Sequence, residues 1–253
     1  MSRWPNTVTI GSFVADLDAP DDYRLTTKIE GWDSAPRRMS VTDRTGANGA
    51  WVGGAYFAAR AIVHSGLIDQ STPATARAIA DELASIPPRT LIPYTVEHET
   101  LGALQVWAQV AVGPAPEWID DTSFTYSLTL TAPDPFTRAT TATTVTIAAG
   151  PTVSHTGTGT FPAVLEVTTT SGGTVDLTIG SLRLRTGWLP SGAVLTGGPG
   201  FPNPKRTIRS SGGANLFGLT VSPMQWPYIV PGANSLVQAG TAGLSVRYFS
   251  TYA

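Results

Sequence analysis

Phe124-Thr125-Tyr126-Ser127-Leu128-Thr129-Leu130-Thr131 sets an apolar side chain at every even position and a hydroxylated one at every odd position. Successive side chains of a strand point to opposite faces, so this stretch reads as a strand of a sheet buried on one side. Upstream, Leu104-Gln105-Val106-Trp107-Ala108-Gln109-Val110-Ala111-Val112 places Leu104, Val106, Ala108, Val110 and Val112 on one face in the same way. Downstream, Ala132-Pro133-Asp134-Pro135-Phe136 stops the pattern, and a threonine- and alanine-rich stretch follows from Thr137 to Thr144. Such a change of texture marks a domain boundary, giving residues 1–136 and 137–253.

The first half reads as mainly strand. Val8 to Val14 predicts a hairpin turned at Gly11-Ser12. Tyr23 to Ile29 predicts a strand broken at Gly31, and Arg37 to Val41 another. A glycine-rich passage, Gly46 to Gly54, holds Trp51. Tyr56 to Ser65 alternates Phe57, Ala59, Ala61 and Val63 with Arg60, Ile62 and His64; partly apolar on both sides, it predicts a strand inside the sheet. One helix is expected, over 73–85. Thr72 is a good N-cap and Pro73 suits the first helical position. Ile79, Leu83 and Ile86 make one apolar stripe, and Pro87-Pro88 ends the helix. Strands are expected again at Arg89 to Ile92 and Tyr94 to Glu99, the latter a charged edge strand.

In the second half helical periodicity disappears. Ala163 to Thr168, Val175 to Ile179 and Leu182 to Arg185 read as strands, with Gly172-Gly173 as a hairpin turn between the first two. Gly197 to Pro204 is a long loop, and Leu216 to Val221 and Leu244 to Phe249 are the closing strands. The fold class is therefore mainly β, as two β-sandwich-like domains of which the N-terminal one carries a single α-helix. A single large sandwich is the alternative.

Composition narrows the function classes. A chain of 253 residues buries about 70% of its unfolded surface, enough for one large domain or two medium ones without staples. Cysteine is absent, which removes disulfides, thiolate metal sites and thiol nucleophiles. The net charge is −2 with 13% charged residues, so no basic field marks a sequence-reading nucleic-acid binder. About one residue in seven is threonine, and 26 Gly and 20 Pro fit many strands joined by turns. Nowhere do eighteen apolar residues run on, so no membrane insertion is expected, and the N-terminus lacks an apolar core of signal-peptide length. The expectation is synthesis and folding in a cytoplasm.

Chemistry is sparse. No Gly-x-Ser-x-Gly elbow precedes a helix, and His64 beside Ser65 reads as an ordinary sheet histidine. Glu97, His98 and Glu99 look like metal ligands, but in a strand His98 points away from the two glutamates. The third histidine, His155, is remote from both. The acidic pairs Asp16/Asp18, Asp21/Asp22 and Asp120/Asp121 read as solvated turns, without the graded spacing of a calcium loop. Gly197 to Gly200 with Lys205, Arg206 and Arg209 lacks the ending of a nucleotide loop. Trp4, Trp32, Trp51, Trp107, Trp118, Trp188 and Trp226 fit either core and interface packing, the favoured reading, or sugar-stacking platforms. No catalytic, cofactor-binding or metal residue is assigned, and no enzyme activity is expected.

Three stretches carry a resemblance. The first is a strand ending near Gly66-Leu67-Ile68 followed by the helix from Thr72 to Ile86. The second is Ser123 to Thr131 running into Ala132-Pro133-Asp134-Pro135. The third is Trp226-Pro227-Tyr228-Ile229-Val230-Pro231-Gly232-Ala233-Asn234-Ser235-Leu236, a P-x-x-x-P-G-x-N loop before the strand Leu244 to Tyr248. Their order and spacing resemble the distal tail proteins (Dit-like minor tail proteins) of long-tailed, siphovirus-type phages, over nearly the whole chain.

The resemblance implies an N-terminal ring-forming β-sandwich with a helix and a C-terminal galectin-like β-sandwich. It implies a structural virion protein at the tail tip, a baseplate hub forming a homohexamer around a channel for DNA in transit. The implied partners are the tail tube protein, the tape-measure protein and the tail-tip hub protein, with receptor-binding proteins or cell-wall glycan beyond them. The rival reading from the tryptophans is a carbohydrate-binding β-sandwich protein; a hydrolase has little support.

Overall fold

The computed structural model describes residues 7–16, 22–33, 36–43, 50–98, 100–147, 152–157, 161–197, 207–216, 218, 229–230 and 232–252. The chain divides into two compact units, Met1–Phe136 with Ala253, and Thr137–Tyr252. Among the described residues the structure is mainly β, with one α-helix.

Unit 1 contains β1 (Thr7–Ile10), β2 (Phe13–Asp16), β3 (Asp22–Glu30), β4 (Arg37–Asp43), β5 (Ala50–Phe57), β6 (Arg60–Gln70), α1 (Pro73–Ala84), β7 (Ile92–His98), β8 (Gly102–Val112), β9 (Glu117–Trp118) and β10 (Ser123–Ala132). Antiparallel pairing runs β2-β1-β7-β8 and then β8-β10-β6-β3, with β9 also on β10; β4 and β5 form a separate hairpin. The predicted turn is present: Ile10 pairs with Phe13 and Gly11 has φ 62°, the left-handed conformation that glycine adopts without steric cost.

β8 belongs to two layers. Its Gly102–Ala108 portion pairs with β7 and its Gln109–Val112 portion with β10, where the register shifts at Thr129/Leu130. A strand that changes sheet through a bulge makes a corner, so the two groups of strands face each other across one core. That core joins Val8, Ile10, Phe13, Tyr94 and Val106 to Ile62, Ile68, Phe124 and Leu128, with Ile79, Leu83 and Ile86 from the helical segment. The alternation of β10 holds throughout, with Phe124, Tyr126, Leu128, Leu130 and Ala132 buried. Val112, expected on the buried face, is 62% exposed because the alternation is lost just past the bulge.

α1 begins as predicted. Thr72 Oγ1 accepts from Thr75 N at 3.3 Å, Pro73 occupies the first turn, and Ser85 is the C-cap. Two expectations for this half need correction, at Arg89–Thr90 and within Tyr56 to Ser65. Arg89–Thr90 form no strand, because the chain is still leaving the double proline and pairing starts at Ile92. Of the glycine-rich passage, Ala50 to Gly54 lie inside β5, and positions 44–49 lie outside the described residues. The run Tyr56 to Ser65 is interrupted at Ala58–Ala59, after which β6 continues to Gln70 between β3 and β10.

Unit 2 contains β11 (Thr137–Ala139), β12 (Thr143–Ile147), β13 (Thr152–Gly157), β14 (Phe161–Thr169), β15 (Gly173–Ile179), β16 (Leu182–Leu189), β17 (Val194–Gly197), β18 (Thr207–Arg209), β19 (Gly232–Gln238) and β20 (Leu244–Tyr252). One sheet runs β18-β17-β14-β20, with β12 and β11 along the far side of β20. The other runs β13-β19-β15-β16. Leu165, Val167, Leu195, Leu244, Val246 and Tyr248 of the first meet Val175, Leu177, Leu184, Leu189 and Leu236 of the second in one core, which is a β-sandwich.

The threonine- and alanine-rich stretch Thr137–Thr144 holds β11 and the start of β12, whose threonines use the backbone to pair with β20. One correction applies here. Gly172-Gly173 does not turn a hairpin, because β14 and β15 lie in different sheets; the hairpin is β15–β16, where Ile179 pairs with Leu182 across Gly180 at φ 59°. The two glycines instead allow a tight crossing: a Cβ on Gly173 would stand 2.6 Å from Ala242 N. The loop expected at 197–204 lies outside the described residues beyond Gly197, and so does most of the strand expected at 216–221.

Candidate functional site

The buried polar residues of unit 1 gather around β6. Its burial alternates strictly, and the inward set is Arg60, Ile62, His64, Gly66, Ile68 and Gln70. The set bearing the histidine and arginine is therefore the one turned to the core. His64 is fully buried, with Nδ1 3.1 Å from Tyr94 Oη and Nε2 3.1 Å from Tyr126 Oη. Tyr126 belongs to the next strand, β10, whereas Tyr94 reaches across the core from β7. A neutral imidazole has one N–H donor and one acceptor nitrogen, so the two hydroxyls satisfy it completely.

Burial of the ring, with no neighbouring anion to offset it, pushes the His64 pKa down to about 4. Burial likewise raises both tyrosine hydroxyls above their ordinary range. At neutral pH the three groups form an uncharged bridge between the two layers. Ser65, the neighbour of His64 in sequence, points to the opposite face and donates to Ser127 Oγ at 3.2 Å. The strand thus separates the serine from the histidine.

Arg60, also fully buried, has a different character. Its Nη1 donates to Trp32 O, its guanidinium lies 6.0 Å from the Trp32 ring centroid, and Nε and Nη2 have no partner. Burial lowers its pKa to about 10, with Asp33 and Asp134 opposing the shift. The sequence reading did not single out Arg60 as buried, and a charge in an alternating run carries no signal of which face turns inward.

The remaining residues singled out in the sequence are scattered. His98 Nδ1 accepts from Thr100 N at 3.2 Å and Leu101 N at 3.3 Å, closing the turn after β7. β7 is not an edge strand, since it pairs with both β1 and β8. Glu99 lies outside the described residues, as do Asp18, Asp21, Lys205, Arg206, Trp4 and Trp226. Asp16 and Asp22 fall in β2 and β3, and His155 falls in β13 opposite Asn234. Asp120 does occupy a turn: its Oδ1 accepts from Thr122 N at 2.8 Å, Thr122 Oγ1 at 2.9 Å and Ser123 N at 2.7 Å. These bonds, the Thr122 amide first, lower its pKa. Among the described residues no group of three or more His, Asp and Glu is placed to hold a metal ion. Among the described residues, no helix is long and apolar enough to cross a membrane.

The tryptophans divide. Trp32 packs on the core of unit 1, 5.4 Å from Tyr94. Trp118 and Trp188 are 45% and 64% exposed, so neither fills a core within its unit. Trp118 and Ile119, with Arg77, Asp120 and Asp121, line a shallow cleft of about 330 Å³ in unit 1.

In unit 2 the late P-G-x-N motif has a clear structural role. Asn234 is buried in β19, and its Nδ2 donates to Val230 O at 2.7 Å and Gly232 O at 2.8 Å. Its Oδ1 accepts from Val230 N at 2.9 Å, so one amide closes the loop before the strand. Pro231 lies outside the described residues. Gln238, four residues on and also buried, accepts from Asp176 N at 2.9 Å and donates to Ala242 O at 2.9 Å and Thr174 O at 3.2 Å. These bonds secure the end of β19 against β15.

No family model matches the sequence, and no curated protein matches it. Solved structures do. The crystal structure of the SPP1 Dit protein (gp 19.1), described as a paradigm of the hub adsorption apparatus in Gram-positive infecting phages, superposes with a TM-score of 0.70 at 13% identity, over 98% of this chain and 99% of that one. A chain of the phage P2 baseplate in its activated conformation with Ca matches with a TM-score of 0.57 at 8% identity, over 95% and 97%. The Sr form of the same baseplate gives 0.55 at 8% identity. The chain thus has the fold of SPP1 Dit along nearly its whole length, at an identity where sequence alone retains little of the likeness.

Proposed function

We propose that this chain is a structural component of a phage virion, a distal tail or baseplate hub. Six copies form a ring that joins the tail tube to the tail-tip and host-adhesion apparatus and leaves a channel for DNA. The observation that carries this reading is the match to SPP1 Dit over 98% of this chain and 99% of that one, which spans both units rather than one shared sandwich. In this reading the neighbours are the tail tube, tape-measure and tail-tip hub proteins, the chain is made in the host cytoplasm, and its work is non-covalent.

Physical features support the assignment. A closed ring needs complementary surfaces on each copy, and unpaired strand edges are a natural means of joining neighbours. Among the described residues β3 pairs only with β6, and β4 with β5 stands as a two-stranded hairpin of the kind that gains stability by packing on something else. A DNA conduit should hold phosphate weakly, and the sequence carries 16 Lys and Arg against 18 Asp and Glu, with no net positive field. Light scattering and negative-stain imaging of the purified chain test the proposal. A ring with the mass of six 26.5 kDa copies supports it. A protein that stays monomeric, and lies off the tail axis in labelled particles, overturns it.

A further inference from the structure

The outer face of the β13-β19-β15-β16 sheet is built from cross-strand partners. Thr174 pairs with Trp188, Asp176 with Arg185 and Thr178 with Arg183, and directly paired residues share a face. The alternate residues Val175, Leu177, Leu184 and Leu189 fill the core, so this set points outward. Trp188, 64% exposed, is its only aromatic ring among the described residues. The indole is seated against backbone: a Cβ on Gly172 would stand 2.9 Å from Trp188 Cζ2. A flat indole held over a glycine with much of its surface in water offers a platform on which an apolar ring face can stack.

The groups beside it are polar and already ordered. Asp176 accepts from Arg183 Nε and Nη2, both at 2.7 Å, a bidentate fork that fixes the carboxylate. Arg185, its side chain 45% exposed, approaches the same carboxylate only to 3.7 Å and so retains donors. Thr241 Oγ1 accepts from Thr174 N at 3.0 Å and lies 3.3 Å from Thr174 Oγ1, placing two hydroxyls next to the ring position. A protein hot spot centred on Trp is ordinarily surrounded by further apolar contacts. Here the surroundings are hydroxyls, one carboxylate and two guanidinium groups.

We propose that this face binds pyranose sugars, with the C–H face of one ring on Trp188 and its hydroxyls between Asp176 and Arg185. A pyranose suits both halves of the surface. Its C–H groups meet the negative face of the indole, and its hydroxyls both donate and accept. Two arginines against one aspartate leave the face net positive, which disfavours sugars carrying an ammonium group. Because the residues sit on paired strands, little ordering is needed on binding. The proposal is separate from the ring reading: a hexamer can fail it and a monomer can pass it.

The test is calorimetric titration of the full chain with N-acetylated chitotriose, cellotriose and lactose. At least one is expected to saturate, and deacetylated chitotriose to bind more weakly than its acetylated form. Trp188→Ala, with its circular dichroism unchanged, should weaken binding about tenfold or more, whereas Trp188→Tyr should retain it within about fivefold. Arg185→Gln, which leaves the Asp176–Arg183 fork in place, should also weaken it. The proposal is overturned if none of the three saturates, or if Trp188→Ala binds as well as the parent. It is equally overturned if Trp188→Ala changes the size of the assembly instead, which would make the face a contact between copies.

Discussion

Tyr126 lies over Gly66, its cross-strand partner. The ring atoms Cε1, Cζ and Oη would each stand 2.5 Å from a Cβ at position 66. From there the hydroxyl reaches His64, two residues along β6 on the same face. The glycine provides space for a ring that closes the polar bridge between the layers.

Gly66→Ala should therefore displace Tyr126 and leave His64 Nε2 without its partner. Overpacking and a lost buried hydrogen bond together predict a cost of about 3 kcal/mol. Urea unfolding of the variant measures it; a loss under about 1 kcal/mol would show that the ring moves freely.

The histidine itself makes stability depend on pH. Its folded pKa, about 4, lies below the unfolded value of 6.5, so the unfolded chain binds the extra proton first. The contribution is complete above pH 6.5 and is lost as pH falls toward 4, amounting to about 3 kcal/mol over that window. His64→Gln, which can still bond both tyrosines, should flatten the curve of unfolding free energy between these limits. An unchanged slope would refute the assignment.

Arg60 is predicted to be replaceable. Its Nε and Nη2 are buried without partners, and removing a poorly compensated buried charge is often neutral or stabilising. Arg60→Met should alter the thermal midpoint of the isolated chain little, or raise it. A loss of more than about 3 kcal/mol would mean that the bond to Trp32 O outweighs the desolvation of the charge.

Asn234→Ala should act in the other direction. It deletes three hydrogen bonds within the 230–234 turn and leaves Val230 N without its acceptor, at a cost of about 2 kcal/mol. The effect should appear first as faster amide exchange at Val230, and unaltered protection there would contradict the role given to the motif.

Much of the local structure was readable because neighbouring residues set it. The alternation over 124–131, the turn at Gly11-Ser12 and the capped helix after Thr72 each depend on residues within one turn or one strand. The limits came where a distant segment decided. The composition of Thr137–Thr144 gives no sign that its backbone pairs with β20, over a hundred residues away in sequence. Gly172-Gly173 has the composition of a hairpin turn, but the partner of β14 is β20, not β15.

The candidate sites follow the same rule. His64 was read as an ordinary sheet histidine, and nothing in its neighbours revealed the two tyrosines from β7 and β10 that enclose it. Tryptophan content raised the sugar reading, but only the register of β15 against β16 put Trp188 beside Asp176 and Arg185. Strand character, the turns and the helix are encoded by short-range patterns of polarity and backbone preference, so the sequence by itself determined them. Which face is buried, which strands adjoin and which polar groups meet depend on long-range pairing and on packing two sheets around one core, so the tertiary structure alone decided them.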